Sequence, residues 1–276
     1  MRERAISAVV IAVVVIVFFL LGQPWLTFGI AALALLAAVE VFRLLPPAGF
    51  PVRLLPGVLF PPIAVLGMGW DELAQGFIAV YVAVVLIVLA IDAFRRPEVR
   101  DGFLVWMGGS FGALYPSMLA FMAAILVAAP DVPEDALLGG LFSAGQTWLL
   151  VLVLTVWSFD TFAYLSGRTF KKGRFLNHIS PNKTWSGVIG GTVAAVIVGG
   201  VLAWAAGQGL PGGMLMGLFV AIAGQAGDVA ESMLKRTAGA KDSSNLIPGH
   251  GGILDRTDSF LFAAPVVYAY LLVVGV

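Results

Sequence analysis

Ten ionisable side chains lie between Asp228 and Asp258, in a chain of 276 residues of which only 12% are charged. Charged groups close to long apolar segments are costly unless they are used or solvated, so this concentration indicates function. Carboxylate oxygens are ligands that Mg²⁺ prefers, and Lys and Arg side chains neutralise phosphates. The stretch therefore predicts a site for a divalent metal and a polyphosphate. Its candidate catalytic residues are Asp228, Lys235, Arg236, Lys241, Asp255, Arg256 and Asp258.

The spacing of these residues predicts which of them share a surface. Asp228, Ser232 and Lys235, together with Glu231, are three or four positions apart, so they lie on one face of a predicted helix. Asp255 and Asp258 are also three apart, near the start of the next predicted helix. The three aspartates, Asp228, Asp255 and Asp258, are the candidate metal ligands. The alternative is that Asp228 pairs with Lys235 or Arg236 as a purely structural contact.

The loop between these helices is rich in residues that form turns. Glycines allow backbone N–H groups to approach a phosphate closely, and we expect His250 within the loop to bind phosphate as well. The alternative is a solvated turn without a ligand. The turn-forming residues are Gly239, Pro248, Gly249, Gly251 and Gly252.

A second candidate segment runs from Asp160 to Gly187. Asp160 and Tyr164 are four residues apart, and a basic loop follows before Ser180-Pro-Asn-Lys-Thr-Trp-Ser-Gly187 opens another predicted helix. A basic loop that leads into a Ser- or Thr-capped helix N-terminus is typical of an anion site. Attraction to anionic lipid explains a basic loop equally well.

Composition predicts the elements that must position these residues. The chain is 60% hydrophobic, its mean hydropathy is +0.98, and continuous apolar runs recur that are long enough to span a bilayer as helices. We therefore expect an all-α polytopic integral membrane protein, divided into N-terminal spans (1–130) and a C-terminal catalytic region (131–276). The basic start precedes a first span that we interpret as an uncleaved anchor. Nine spans are predicted, at about 5–21, 25–45, 54–70, 73–93, 103–129, 147–166, 184–206, 213–237 and 259–276. The fifth is expected to be tilted, or broken near Gly108-Gly109 or Pro116.

Loop charge predicts the orientation of these spans. With a cytoplasmic N-terminus, all 16 Lys and Arg residues fall on the cytoplasmic side, where positive residues are preferred. The Ser232–Asp258 stretch then faces the cytoplasm. The opposite loops carry only acids: Asp71, Glu72, Asp131, Glu134 and Asp135.

Three motifs between residues 160 and 258 resemble those of one family. No Walker sequence GxxxxGK[ST] is present, which argues against an ATPase of that type. Ser232-x2-Lys235-Arg236-x4-Lys241-Asp242-x5-Pro248-Gly-His-Gly-Gly252-x2-Asp255-Arg256-x-Asp258 resembles the signature of CDP-diacylglycerol synthase (phosphatidate cytidylyltransferase). Asp160-x3-Tyr164-x2-Gly167-Arg168 and the Ser180–Gly187 segment are also similar to this family. Asn182 and Ser186 depart from the family pattern, which has Lys and Glu there.

The resemblance implies that phosphatidate and CTP give CDP-diacylglycerol and pyrophosphate by in-line nucleotidyl transfer at the cytoplasmic face of the cell membrane. It further implies Mg²⁺, a second monovalent cation such as K⁺, and a homodimer; no nucleic-acid partner is expected. By the same resemblance, Lys183, Ser180 and Thr184 contribute to phosphate binding and Asp160 and Tyr164 line the cavity. The complete set of candidate substrate-binding residues is Asp160, Tyr164, Ser180, Lys183, Thr184, Ser232, Gly249, His250, Gly251 and Gly252.

Two other functions are compatible with parts of the sequence. Asp160, Asp228 and Glu231 could form a cation or proton pathway in a transporter. These carboxylates cluster at one predicted membrane edge, however, and the sequence shows no inverted repeat. A CDP-alcohol phosphotransferase is disfavoured because its Asp-Gly-x-x-Ala-Arg pattern is absent.

Overall fold

The computed structural model describes residues 2–274, with the side chains of 2–8 and 71–76 left undescribed. Within that range regular structure is helical, apart from isolated bridges between Arg174 and Thr184 and between Ile247 and Gly251. The all-α prediction is therefore confirmed. The helices are α1 (Arg2–Leu21), α2 (Trp25–Leu44), α3 (Phe60–Met68), α4 (Asp71–Phe94), α5 (Val99–Ser117), α6 (Ala120–Ala128), α7 (Ala144–Phe170), α8 (Trp185–Ala205), α9 (Leu210–Thr237) and α10 (Leu254–Val274), with a 3₁₀ turn at Gly57–Leu59.

Length and hydropathy identify the membrane-spanning helices. Among the described residues, seven helical segments are long and apolar enough to cross a bilayer, and two shorter apolar helices cover Val9–Leu21 and Gly57–Met68. This supports a polytopic membrane protein, while nine spans and a cytoplasmic N-terminus stay predictions. The predicted orientation depends in part on Arg2, Arg4, Asp71 and Glu72, whose side chains lie outside the described part.

The structure confirms one expected interruption and moves one predicted boundary. The fifth span is interrupted after Ser117, close to Pro116, which was one of the expected positions because proline disrupts a helix. Gly108 and Gly109 do not interrupt it. Helix α10 begins at Leu254, five residues before the predicted start at 259, so both Asp255 and Asp258 lie inside the helix.

The chain divides into two units by its internal contacts. The first comprises Met1–Ala124 and Met233–Thr257. In this unit α2 packs against α3 and α5. Small residues permit the close approach: a Cβ atom at Gly112 would lie 2.8 Å from the Leu45 side chain and 2.9 Å from that of Phe42.

The second unit comprises Ile125–Ser232 and Asp258–Val276. Its helices also pack through small residues. A Cβ atom at Gly191 would lie 2.8 Å from the carbonyl oxygen of Phe159, so α8 runs directly against α7. On α9, Gly217 approaches α8 at Gly199, where a Cβ atom would lie 3.0 Å from the Gly217 Cα. Such contacts are typical of helix packing in membranes, where apolar side chains gain little by leaving lipid.

Candidate active site

Helix α9 runs unbroken through Asp228, Ser232 and Lys235, which confirms the helical spacing predicted for them. The helix stops at a glycine. The N–H of Gly239, whose φ is +70°, donates to the Arg236 carbonyl, and the N–H of Ala240 donates to the Lys235 carbonyl. This pattern is the Schellman motif, which needs the left-handed backbone that glycine adopts readily. The exposed Arg236 side chain reinforces the stop by donating from Nη1 to the Ala240 carbonyl at 3.1 Å.

Lys235 and Asp255 form an ion pair in the first unit. The Lys235 Nζ lies 2.5 Å from Oδ1 of Asp255, and the two side chains are only 11% and 6% exposed. The other carboxylate oxygen, Oδ2, accepts from the Ser243 N–H at 2.9 Å, the Ser243 hydroxyl at 2.7 Å and the Gly252 N–H at 2.7 Å. Asp255 therefore ties both ends of the glycine loop to the end of α9.

A tight turn fixes the middle of this loop. The His250 N–H donates to the Ile247 carbonyl, and Ile247 donates back to the Gly251 carbonyl. Pro248 followed by Gly249 with φ +76° matches the residue preferences of a type II turn. Lys241 and Gly249 are exposed, whereas His250 is half-buried. The loop thus has a defined backbone in the region where phosphate binding is predicted.

Sequence reasoning missed one residue that contacts this loop. Glu40 of α2 is 2% exposed. Its carboxylate accepts hydrogen bonds from Ser244, Ile253 and Leu254 and lies within hydrogen-bond distance of the Ser243 hydroxyl. The available signal was the single acidic residue of a predicted membrane span, a position at which a carboxylate is rarely without a role.

The second unit contains another lysine–aspartate pair. The Lys183 Nζ lies 2.6 Å from Oδ2 of Asp228, with the side chains 17% and 34% exposed. The Ser232 hydroxyl is 3.5 Å from Oδ1 of Asp228, at the limit of a hydrogen bond. Asp228 thus has Lys183 as its ion-pair partner, whereas the structural alternative had paired it with Lys235 or Arg236.

Close helix contact brings Asp258 next to the α9 segment that carries Asp228. A Cβ atom at Gly227 would collide with the backbone carbonyl oxygen of Asp258, so the backbones of α9 and α10 touch here. Oδ1 of Asp258 accepts from the Ser259 N–H at 2.7 Å. Two of the three candidate metal ligands therefore come from adjoining backbone segments of one unit.

The loop before α8 folds back on itself and presents Lys183. Phe175 donates its N–H to the Lys183 carbonyl, and Ser180 lies in the turn that precedes it, where its carbonyl accepts from the Lys183 N–H. Thr184 is the N-cap of α8: its Oγ1 accepts from the Gly187 N–H at 3.1 Å. Ser186, one of the departures from the family pattern, accepts from the Lys172 N–H at 3.3 Å. The predicted substrate residue Thr184 thus has a structural role of its own.

The predicted cavity residues of α7 lie on its exposed side. Asp160 and Tyr164 are both exposed, and the Tyr164 hydroxyl accepts from Nη1 of Arg168 at 3.0 Å. Arg256 on α10 is exposed as well. These positions are accessible, and their predicted roles in substrate binding stay predictions.

The aspartates differ in how well they fit a metal ion. Asp228 is one-third exposed, with an ion-pair partner on one oxygen, so its carboxylate suits a hard cation such as Mg²⁺. Asp258 adjoins it through the Gly227 contact. Asp255 is buried and already accepts from four donor groups, so it fits better as an organiser of the loop. Among the described residues, no three His, Asp or Glu side chains are arranged to hold a metal.

Comparison with known proteins identifies the family. The sequence model described as "Cytidylyltransferase family" matches residues 2–274. A Bacillus subtilis (strain 168) protein named Phosphatidate cytidylyltransferase is 32% identical over 281 residues, which covers 98% of this chain and 97% of that protein.

Shorter matches have higher identity. Proteins of the same name from Brucella abortus biovar 1 (strain 9-941) and Synechocystis sp. (strain ATCC 27184 / PCC 6803 / Kazusa) are 45% and 46% identical over 130 and 132 residues. These matches cover 46% and 45% of this chain, and 47% and 44% of the two relatives, so the chain spans about half the length of each. With the family match extending over all the described residues, the chain belongs to the Cytidylyltransferase family, whose name describes nucleotidyl transfer.

Proposed function

We propose that this protein transfers the cytidylyl group of CTP to phosphatidate. A phosphate oxygen of phosphatidate attacks the α-phosphorus of CTP, and the bond from that phosphorus to the bridging oxygen of the β-phosphate breaks. The products are CDP-diacylglycerol and pyrophosphate. The proposal is supported by membership of the family and by the name of the Bacillus relative, which aligns over nearly the whole chain.

The structural observation that carries the proposal is a lysine–aspartate pair in each unit, Lys235 with Asp255 and Lys183 with Asp228. Joining two anionic substrates requires cations near their phosphates more than it requires a covalent nucleophile. Without substrate, each lysine is neutralised by its aspartate. An incoming phosphate competes for the same ammonium group, so the pairs keep both lysines in place before CTP or phosphatidate arrives.

Mg²⁺ is the proposed cofactor, and it would neutralise charge on the phosphates when bound. We propose Asp228 and Asp258 as the residues that hold it, with Asp255 fixing the loop beside Lys235. A monovalent cation such as K⁺ and assembly as a homodimer are part of the same proposal.

We place the reaction at the cytoplasmic face of the cell membrane. The distribution of Lys and Arg among the predicted loops supports this side of the membrane, because cytoplasmic loops carry the excess of positive charge. CTP would then reach the site from the cytosol, while the acyl chains of phosphatidate stay in the bilayer.

The test uses purified protein in vesicles that contain phosphatidate. On addition of CTP and Mg²⁺, CDP-diacylglycerol and pyrophosphate should appear in equal amounts. A transporter would instead move cations across the vesicle membrane without consuming CTP. Cation flux with no lipid product from folded protein would overturn the proposal.

A further inference from the structure

Glu40 is a buried acid in an apolar helix. It lies on α2 and is 2% exposed, with completely buried Ala37, Ala38 and Val41 beside it. An ionised carboxylate in such surroundings is costly unless hydrogen bonds compensate for the lost water. The glycine loop and the start of α10 supply these bonds, so the burial of Glu40 depends on a particular loop conformation.

Both Glu40 oxygens are used. Oε1 accepts from the Ser244 hydroxyl at 2.6 Å and the Ile253 N–H at 3.0 Å. Oε2 accepts from the Leu254 N–H at 2.7 Å and lies 2.9 Å from the Ser243 hydroxyl. Ile253 and Leu254 open α10, where unpaired N–H groups and the helix dipole favour an anion. Glu40 thus caps α10 from another helix.

Ser243 connects Glu40 to the lysine–aspartate pair. Its hydroxyl oxygen lies 2.9 Å from Glu40 Oε2 and 2.7 Å from Asp255 Oδ2. The hydroxyl has one proton, so it donates to one carboxylate at a time. The other oxygen of Asp255 binds Lys235. A continuous series of contacts therefore runs from α2 to the last turn of α9.

Gly252 lies directly against Glu40. A Cβ atom there would collide with both carboxylate oxygens and with the Ser243 hydroxyl. This glycine is therefore required for close packing on Glu40, whereas the sequence alone pointed to phosphate binding.

We propose that Glu40 is the positioning residue of the glycine loop: it fixes residues 243–254 and, through Ser243, holds Asp255 and Lys235 in place to bind CTP. The inference rests on the proposed function for the identity of the ligand. In Glu40→Gln an NH₂ group, which cannot accept a hydrogen bond, replaces one of the two carboxylate oxygens. The buried loop donors that faced this oxygen therefore lose their acceptor. We expect KM for CTP to rise about 10- to 100-fold.

The test combines hydrogen exchange with kinetics on the purified full chain. Glu40→Gln should speed exchange in peptides covering 240–254 and leave those of α8 unchanged. Gly252→Ala, which disturbs the same contact from the loop, should also speed exchange in peptides covering 240–254 and leave those of α8 unchanged. Glu98→Gln is the matched control, since Glu98 is exposed and makes no side-chain cap at the start of α5; it should match wild type in both exchange and KM.

Several results would overturn the inference. One is unchanged exchange at 240–254 in folded Glu40→Gln protein, and another is faster exchange spread equally over the chain. Local loosening with no change in KM for CTP would remove the link to substrate binding. Wild-type protein without cytidylyltransferase activity would refute the proposed function instead, and the exchange data would still decide whether Glu40 fixes the loop.

Discussion

The Nζ atom of Lys183 lies 2.6 Å from Oδ2 of Asp228, so the loop before α8 is joined to α9 by an ion pair. Pairs this exposed contribute about 0–1 kcal/mol to stability. The pair matters more for position than for stability, because it holds Lys183 in a defined place beside a carboxylate that remains one-third exposed. The same arrangement, more deeply buried, recurs between Lys235 and Asp255.

Asp228→Asn tests the role of the second-unit carboxylate. The amide keeps the size of the side chain but removes the charge that we propose for metal binding. Activity should fall by about 100-fold or more, the scale of losing one electrostatic contact in a transition state. The free energy of unfolding should change by less than about 1 kcal/mol. Initial rates over a Mg²⁺ series would measure the first effect, with the exposed Asp131→Asn as control. A variant with the wild-type rate and Mg²⁺ dependence would rule Asp228 out as a metal ligand.

Gly227→Ala tests the close contact between α9 and α10. Its added methyl group would meet the Asp258 carbonyl oxygen, so the helices must separate. We expect a loss of about 1–3 kcal/mol in stability together with a loss of activity. Gly224→Ala is the control on the same helix, since its Cβ would lie 3.6 Å from the nearest atom, the Ser259 Cβ, at ordinary contact distance. Equal unfolding temperatures and activities for the two variants would contradict this packing.

Thr184 can be tested for capping and substrate binding separately. Thr184→Val removes the acceptor for the Gly187 N–H and should cost about 1 kcal/mol in stability. Asp is an equally good N-cap, so Thr184→Asp should keep the stability. If Thr184 also contacts phosphate, the added negative charge will raise KM for a substrate. An unaltered KM in Thr184→Asp would leave Thr184 with the capping role alone.

Ser243→Ala removes the hydroxyl between Glu40 and Asp255. The two carboxylates would then lie close together without a donor between them, so we expect a destabilisation of about 1–3 kcal/mol. Ser244→Ala loses only one contact with Glu40 and should be milder. Thermal unfolding in detergent would compare the two variants. A larger effect at Ser244 would show that Ser243 does not connect the carboxylates.

The sequence predicted the helical class and the main features of the site because both depend on local patterns. Apolar length predicts spans, and three- and four-residue spacing on α9 places Asp228, Ser232 and Lys235 on one face. The interruption close to Pro116 was likewise among the expected positions, because proline disrupts a helix.

The partners of these residues could not be predicted in the same way. Glu40 and Ser243 are 203 positions apart, and no periodicity links them. The pairing of Asp228 with Lys183 also depends on how a loop folds back. A glycine at position 252 would be expected either for a special backbone conformation or for close packing, so the sequence does not separate the two. Only the position of Glu40, which a Cβ atom at residue 252 would meet, shows that close packing requires it.

The most direct measurement follows labelled phosphorus from CTP into lipid. Purified protein in phosphatidate vesicles is given CTP labelled either at the α- or at the γ-phosphate, with Mg²⁺. We expect the α-label to enter the lipid as CDP-diacylglycerol while the γ-label leaves as pyrophosphate. Folded protein that leaves the lipid unlabelled, or that transfers the γ-label to it, would contradict cytidylyl transfer to phosphatidate.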